Sequence, residues 1–396
     1  MLNPAPPYRS LYTYAWDVQD PGPRAFIEHA LELGAHDVSL ALSYHAGKFI
    51  RPRAQRGPRV IFPEDGVVYF NPRQELYGEI KPQAHSDAAL RDSAAQIAAD
   101  GRLRLHSWTV LMHNTRLGLA YPQYRAKNVF GESYLYSLCP MQDAVFEYAL
   151  QLCRDMATAL PLHSLILETP GWLPYAHGYH HEFAQLPANS ALDSALGICY
   201  CSACQANARA HGLDITGLMQ QQRDFITQQL QRDDVASAAE QAELNQQLQQ
   251  QLAAYTALRQ QRVTALVAQI KATLPQATQL AVIPSVQRPS SLAWQEGSDL
   301  AALADVADVL EIPLYEKNLA DFSADLAYCQ AISNKLRLIM RPGFPDLQNG
   351  DLLEAALALA DQAGVRDWAF YNYGLLPEAR LRQLARALQP YQVLAV

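Results

Sequence analysis

Ser164-Leu165-Ile166-Leu167-Glu168, followed by Thr169-Pro170-Gly171-Trp172, is a short apolar run that ends on a carboxylate and then a turn. Three apolar residues in succession, with no polar alternation, are the pattern of a strand buried on both faces, as in a parallel sheet. Seven further runs of this kind surround it: residues 11–17, 37–44 and 103–112 before it, and 279–284, 309–315, 336–340 and 368–373 after it. Amphipathic stretches separate them, including one from Pro23, a favoured first helical residue, to a stop at Gly34, one over 143–160, and others over 299–307 and 352–363. Eight such units predict a closed (β/α)8 barrel, a single domain across 1–396. An open doubly wound sheet lacks support, because no G-x-G-x-x-G follows any of the strands.

Composition narrows the function. A chain of 396 residues that is 49% apolar can bury a large core. Its net charge of -8, with no Lys/Arg stripe interleaved with aromatics, argues against a nucleic-acid partner. No run approaches a membrane-spanning length. Six cysteines without an apolar leader point to a reducing compartment, the cytoplasm by default, where clustered thiols bind metal rather than pair. From 212 to 274 the chain becomes glutamine-rich with few helix breakers, which predicts a helical hairpin inserted after strand four and bent near Asp233 and Asp234. That hairpin either elongates the fourth barrel helix or makes a homo-oligomer contact. The long polar segment after strand two, with Tyr69, Asn71 and Tyr77, reads as a loop shaping a site.

Reactive side chains of a (β/α)8 barrel project from the carboxyl ends of its strands. Collected there are Asp17, His45, His113, Asn114, Glu168, Trp172, Glu311, Tyr315, Glu316, Arg341, Tyr371, Asn372 and Tyr373. Carboxylates, amides and aromatic faces with few cations suit a small carbohydrate. After Trp172 comes His177-Gly178-Tyr179-His180-His181-Glu182, whose spacing is not that of a helical H-E-x-x-H site; it reads as a substrate-contacting loop, or as the ligands of a catalytic metal. Glycoside hydrolysis needs two carboxyl groups, about 5 Å apart for retention and further apart for inversion. Glu168 is the first, as general acid/base, unless it only caps a loop or pairs with Arg341. Glu311 is the candidate partner, since strand parity places it with Pro313 and Tyr315; a residue deep in its strand can also be a layer residue bonded to Arg341. Asp17 is a further candidate, with hydroxyl binding or helix capping as its other role.

Cys199, Cys201 and Cys204 in Ile-Cys-Tyr-Cys-Ser-Ala-Cys, with Cys139 in Leu-Cys-Pro far upstream, match a closed tetrahedral zinc site of structural type. Cys139-Pro140, a glutamate ending strand four, and then Cys199-Tyr200-Cys201-Ser202-Ala203-Cys204 resemble the family 42 beta-galactosidases and neighbouring clan A glycosidases over about residues 103–210. In that family the two cysteine motifs jointly hold a structural zinc beside the active site. The resemblance implies that Glu168 is the acid/base. Two positions depart from the family pattern: Leu167 replaces the asparagine before that glutamate, and Ile339-Met340-Arg341 stands where the family ends strand seven on its nucleophile. The expected function is a glycoside hydrolase. A non-hydrolytic sugar-binding barrel and a sugar lyase or isomerase with a histidine-bound metal are the alternatives.

Overall fold

The computed structural model describes residues 6–179 and 183–392. Eight parallel strands close on themselves: β1 Arg9–Thr13, β2 Asp37–Tyr44, β3 Arg104–Val110, β4 Ser164–Glu168, β5 Gln279–Ile283, β6 Val309–Leu314, β7 Leu336–Met340 and β8 Trp368–Phe370. Closure is made by β1, which pairs with β2 on one side (Leu11 opposite Val38) and with β8 on the other (Leu11 opposite Phe370). Helices follow the strands in order, among them Pro23–Glu32, which begins on its proline and is followed by Gly34 at φ +83°, a turn that favours glycine. Leu165, Ile166 and Leu167 of β4 are fully buried, worth about 1.5–3 kcal/mol each.

The foot of the barrel is polar and densely hydrogen-bonded. Asp37 accepts two hydrogen bonds of 2.7 Å from Arg104 and one of 2.7 Å from His106 Nε2, while Arg337 donates to Gln279 at 2.6 Å. Burial drives the His106 pKa down to about 4, so the ring is neutral there. Interactions of this kind at the amino-terminal face stabilise a barrel rather than catalyse.

Two expectations shift. The first strand ends at Thr13 and residues Ala15–Gln19 turn into a helix, so Asp17 belongs to a helix rather than to a strand end. Around Arg73 and Tyr77 the polar segment after β2 is docked on the barrel exterior: Asp155, on the helix Asp143–Ala159, takes hydrogen bonds from Arg73 and from the Tyr77 hydroxyl at 2.9 Å. In the glutamine-rich region, helix Ile215–Leu230 packs near the first half of Ala238–Thr273. The glutamines join them: Gln222 donates to Gln251 at 2.9 Å, and Gln251 to Gln221 at 2.8 Å.

Candidate active site

A cavity of about 440 Å³ opens at the carboxyl ends of the strands. Tyr12, Tyr44 and Trp108 from β1 to β3 form one side, with His45, Lys48 and Phe49 from the loop after β2. Ile283, Pro313, Tyr315, Ile339, Arg341 and Tyr371 from β5 to β8 form the other. Glu168 stands between them at the end of β4, in register with Val110 of β3 and Ile283 of β5. It is the single carboxylate among the described residues that line the cavity.

Burial pushes the Glu168 carboxyl from 4.5 up to about 7, opposed by the Trp108 indole, whose Nε1 donates to Oε2 at 2.5 Å. Arg341 is paired with Asp346, 2.9 Å from its Nη1, rather than with Glu168. An acid poised near neutrality is matched to proton donation. The indole is itself fixed, edge-on to Tyr12 and Tyr44 with ring centroids 5.1 and 4.8 Å away. Above it, the Tyr14 hydroxyl bonds those of Tyr44 (3.0 Å) and Tyr371 (3.2 Å). His45 stacks between Tyr44 (4.3 Å) and His113 (3.9 Å), and His177 completes that rim.

The structure thus brings together Glu168, His45, His177, Tyr315, Arg341 and Tyr371 of the residues singled out in the sequence. It does not bring Glu311 to them. That side chain is fully buried inside the barrel, with Oε1 accepting from Tyr8 (3.0 Å) and Tyr12 (2.8 Å) and Oε2 lying 3.8 Å from Arg337. It is a layer residue, anchored by Arg337 rather than by Arg341. Asp17 faces Arg51 at 3.2 Å beside a separate cavity of about 180 Å³, and burial raises its pKa to about 6. Tyr373 borders that second cavity, with its hydroxyl 2.9 Å from His29 Nδ1. Asn114 caps the helix Thr115–Ala120 through Leu117 N at 2.9 Å. Asn372 caps its own turn at Gly374 N, 3.0 Å away. His113 does not line the cavity but backs it, stacked on His45 and edge-on to His177 with ring centroids 6.0 Å apart, and Trp172 is buried against the cysteines. His180, His181 and Glu182 lie outside the described residues.

Tyr12, Tyr44 and Trp108 are not among the candidates: Tyr12 and Trp108 sit one and two positions inside their strand ends, and Tyr44 ends β2 directly before His45, the residue singled out there. A buried tryptophan requires an acceptor for its N–H, and that was the available signal for Trp108.

Behind this wall, Cys139, Cys199, Cys201 and Cys204 are buried with their four sulfurs within 4.8 Å of one another. Three of the separations are 3.4, 3.6 and 3.8 Å, against about 3.8 Å for the edge of a tetrahedron with 2.3 Å metal–sulfur bonds. N–H groups aim at the sulfurs: Lys127 N at Cys199 and Trp172 Nε1 at Cys139, each 3.3 Å away, and Gln142 Nε2 at Cys201, 3.6 Å away. Such donors are what thiolate ligands take from their surroundings. Four buried ligands leave no open position, so the donor set fits a structural metal.

No protein-family model matches the chain, and no curated protein matches it. Solved structures do. The glycoside hydrolase domain of PgaB (BpsB) from Bordetella bronchiseptica superposes with a TM-score of 0.59 at 14% identity, over 99% of this chain and 100% of that one. Alpha-L-fucosidase isoenzyme 2 from Paenibacillus thiaminolyticus superposes with a TM-score of 0.51 at 12% identity, over 98% of this chain and 51% of that one. The fold is a (β/α)8 barrel. Its neighbours are glycoside hydrolases, and at these identities the likeness is one of architecture. No helix among the described residues is long and apolar enough to cross a membrane.

Proposed function

We propose that this chain is a glycoside hydrolase acting on a small carbohydrate or glycoside, with Glu168 as its general acid. The observation that carries this reading is a protonatable carboxyl, raised to about 7, in the wall of an aromatic cavity at the end of β4. A sugar seated against the Tyr and Trp faces would present its glycosidic oxygen to Glu168, which transfers its proton to the departing group. The Trp108 N–H, already 2.5 Å from Oε2, then stabilises the carboxylate that remains.

Glu311 was the expected second carboxylate, but its position inside the barrel removes it from the glycosidic bond. In this mechanism water, or a neighbouring group of the substrate that water then displaces, bonds to the anomeric carbon as the bond to the departing oxygen breaks. The proton that water loses returns to the Glu168 carboxylate or passes to solvent. The cysteines would hold one zinc ion, which supplies no chemistry to the reaction and fixes the loops after β3 and β4, an arrangement resembling that of family 42.

A panel of nitrophenyl glycosides tests the assignment. Wild type should turn over at least one of them, and Glu168→Gln should lose most of that activity; equal turnover by the two proteins removes Glu168 from the mechanism. The solitary carboxylate also favours a second reading, a barrel that binds sugar without cleaving it. Calorimetric binding of a sugar, with no turnover of any glycoside, would select it.

A further inference from the structure

The charges around the cavity run against those of the molecule. The chain carries a net -8, yet the charged side chains lining this cavity, among the described residues, are Glu168, Lys48 and Arg341. Two of the three are cations, and Glu168 adds no charge when protonated.

Arg341 follows the last residue of β7 and is held rather than loose. Its guanidinium lies over the Tyr315 ring at 4.2 Å and near Tyr371 at 5.6 Å, and Nη1 is 2.9 Å from the buried Asp346. Stacking fixes the plane of the fork, while its side chain keeps 29% exposure. Burial raises both the Tyr315 and the Tyr371 phenol, and each also feels the two charges, Arg341 pulling it down and Glu168 pushing it up. Both rings line the cavity together with the acid and the cation. Lys48, exposed on the loop after β2, brings a second positive charge to the opposite side. A planar, oriented guanidinium in a partly desolvated cavity matches a carboxylate better than it matches a neutral hydroxyl.

We propose that the cavity selects a glycoside whose sugar carries a carboxylate, docked on Arg341 with Lys48 as auxiliary cation. This rests on the glycoside hydrolase reading and narrows its substrate class to acidic sugars.

Binding is measured separately from turnover, by titration calorimetry on the Glu168→Gln protein with stereochemically matched pairs of nitrophenyl hexuronides and hexosides. The acidic member of a pair should bind about tenfold more tightly or better, with affinity falling as salt is added. Arg341→Gln should abolish the acid-over-neutral ratio. Arg341→Lys, which keeps the charge and loses the fork, should lower it, and Lys48→Gln should reduce it further toward one. A neutral sugar bound as tightly as its acid, a ratio unaltered in Arg341→Gln protein that melts like its parent, or a sulfated sugar that outcompetes the carboxylate would overturn the proposal. Acid-selective binding with no hydrolysis by wild type would sink the hydrolase reading and leave this one standing. Hydrolysis of neutral glycosides without acid preference would do the reverse.

Discussion

Replacing Trp108 by Phe should move the alkaline limb of the pH profile upward. The indole N–H donates to Glu168 at 2.5 Å and is what holds its carboxyl down against burial, which alone would take it beyond about 7. A hydrogen bond to a charged group contributes about 1.5–3 kcal/mol, and one pKa unit corresponds to about 1.4 kcal/mol. Removing the donor should therefore raise the carboxyl by about one to two units, toward the lower figure where cavity water takes over part of the interaction. A general acid works in its protonated form, so activity is present below its pKa and lost above it. The profile of kcat/KM, which reports the free enzyme, should break near pH 7 in wild type and about one unit higher in Trp108→Phe. Infrared titration of the carboxyl band, with Glu168→Gln as the blank, follows the same proton without turnover. Phe keeps the aromatic packing against Tyr12 and Tyr44, so melting should change little. A limb that stays in place, or moves to lower pH, would show that the indole does not stabilise the ionised acid.

Glu311→Gln should cost stability rather than chemistry: the amide still accepts from the phenols of Tyr8 and Tyr12 but leaves Arg337 without its charge partner, a loss of about 1–3 kcal/mol, read as a lower Tm with kcat within a few-fold. A collapse of kcat at unchanged Tm would instead return Glu311 to the role of partner carboxylate. For the cysteines, elemental analysis of the purified protein should give one zinc per chain, kept in Glu168→Gln and lost in Cys201→Ser together with a marked fall in Tm. Metal-free protein with the same melting point as the loaded form would refute a structural metal.

The barrel was legible because its strands are buried on both faces, and continuous apolar runs are hard to mistake when they recur between amphipathic helices. β2, β4 and β7 begin and end where the pattern places them. The carboxyl ends were less clear, since a polar residue after a strand can face the cavity, cap a helix or turn outward. Asp17 turned outward because the chain after Thr13 enters a helix, where Asp17 N bonds Tyr14 O at 2.9 Å and the side chain meets Arg51. Glu311 shows the opposite failure. Alternation gave it an inward direction, its place deep in the strand left both a layer role and a site role open, and the three-dimensional register with Arg337 and the two tyrosines selects the layer. The cysteine cluster was readable because metal ligation constrains spacing in sequence as well as in space.

The cysteine cluster and the cavity wall are mechanically connected through Trp172 and the segment after β5. Trp172 bonds Cys139 through its indole, and its backbone N–H donates to the carbonyl of Glu296 at 3.0 Å. Approach at that point is so close that a Cβ on Gly171 would lie 1.8 Å from the same carbonyl oxygen. Arg259 covers the Trp172 ring at 4.4 Å and donates to Gln295 O at 2.9 Å, binding the two segments together again. Glu296 then turns inward, its Oε1 taking Ser285 Oγ at 2.6 Å and Val286 N at 2.9 Å. Val286 lines the cavity. The chain of contacts thus runs from a cysteine sulfur to the loop after β5 without passing through Glu168. Losing the metal should accordingly impair kcat/KM through cavity shape, while the pH at which Glu168 titrates, set locally by burial and Trp108, stays where it was.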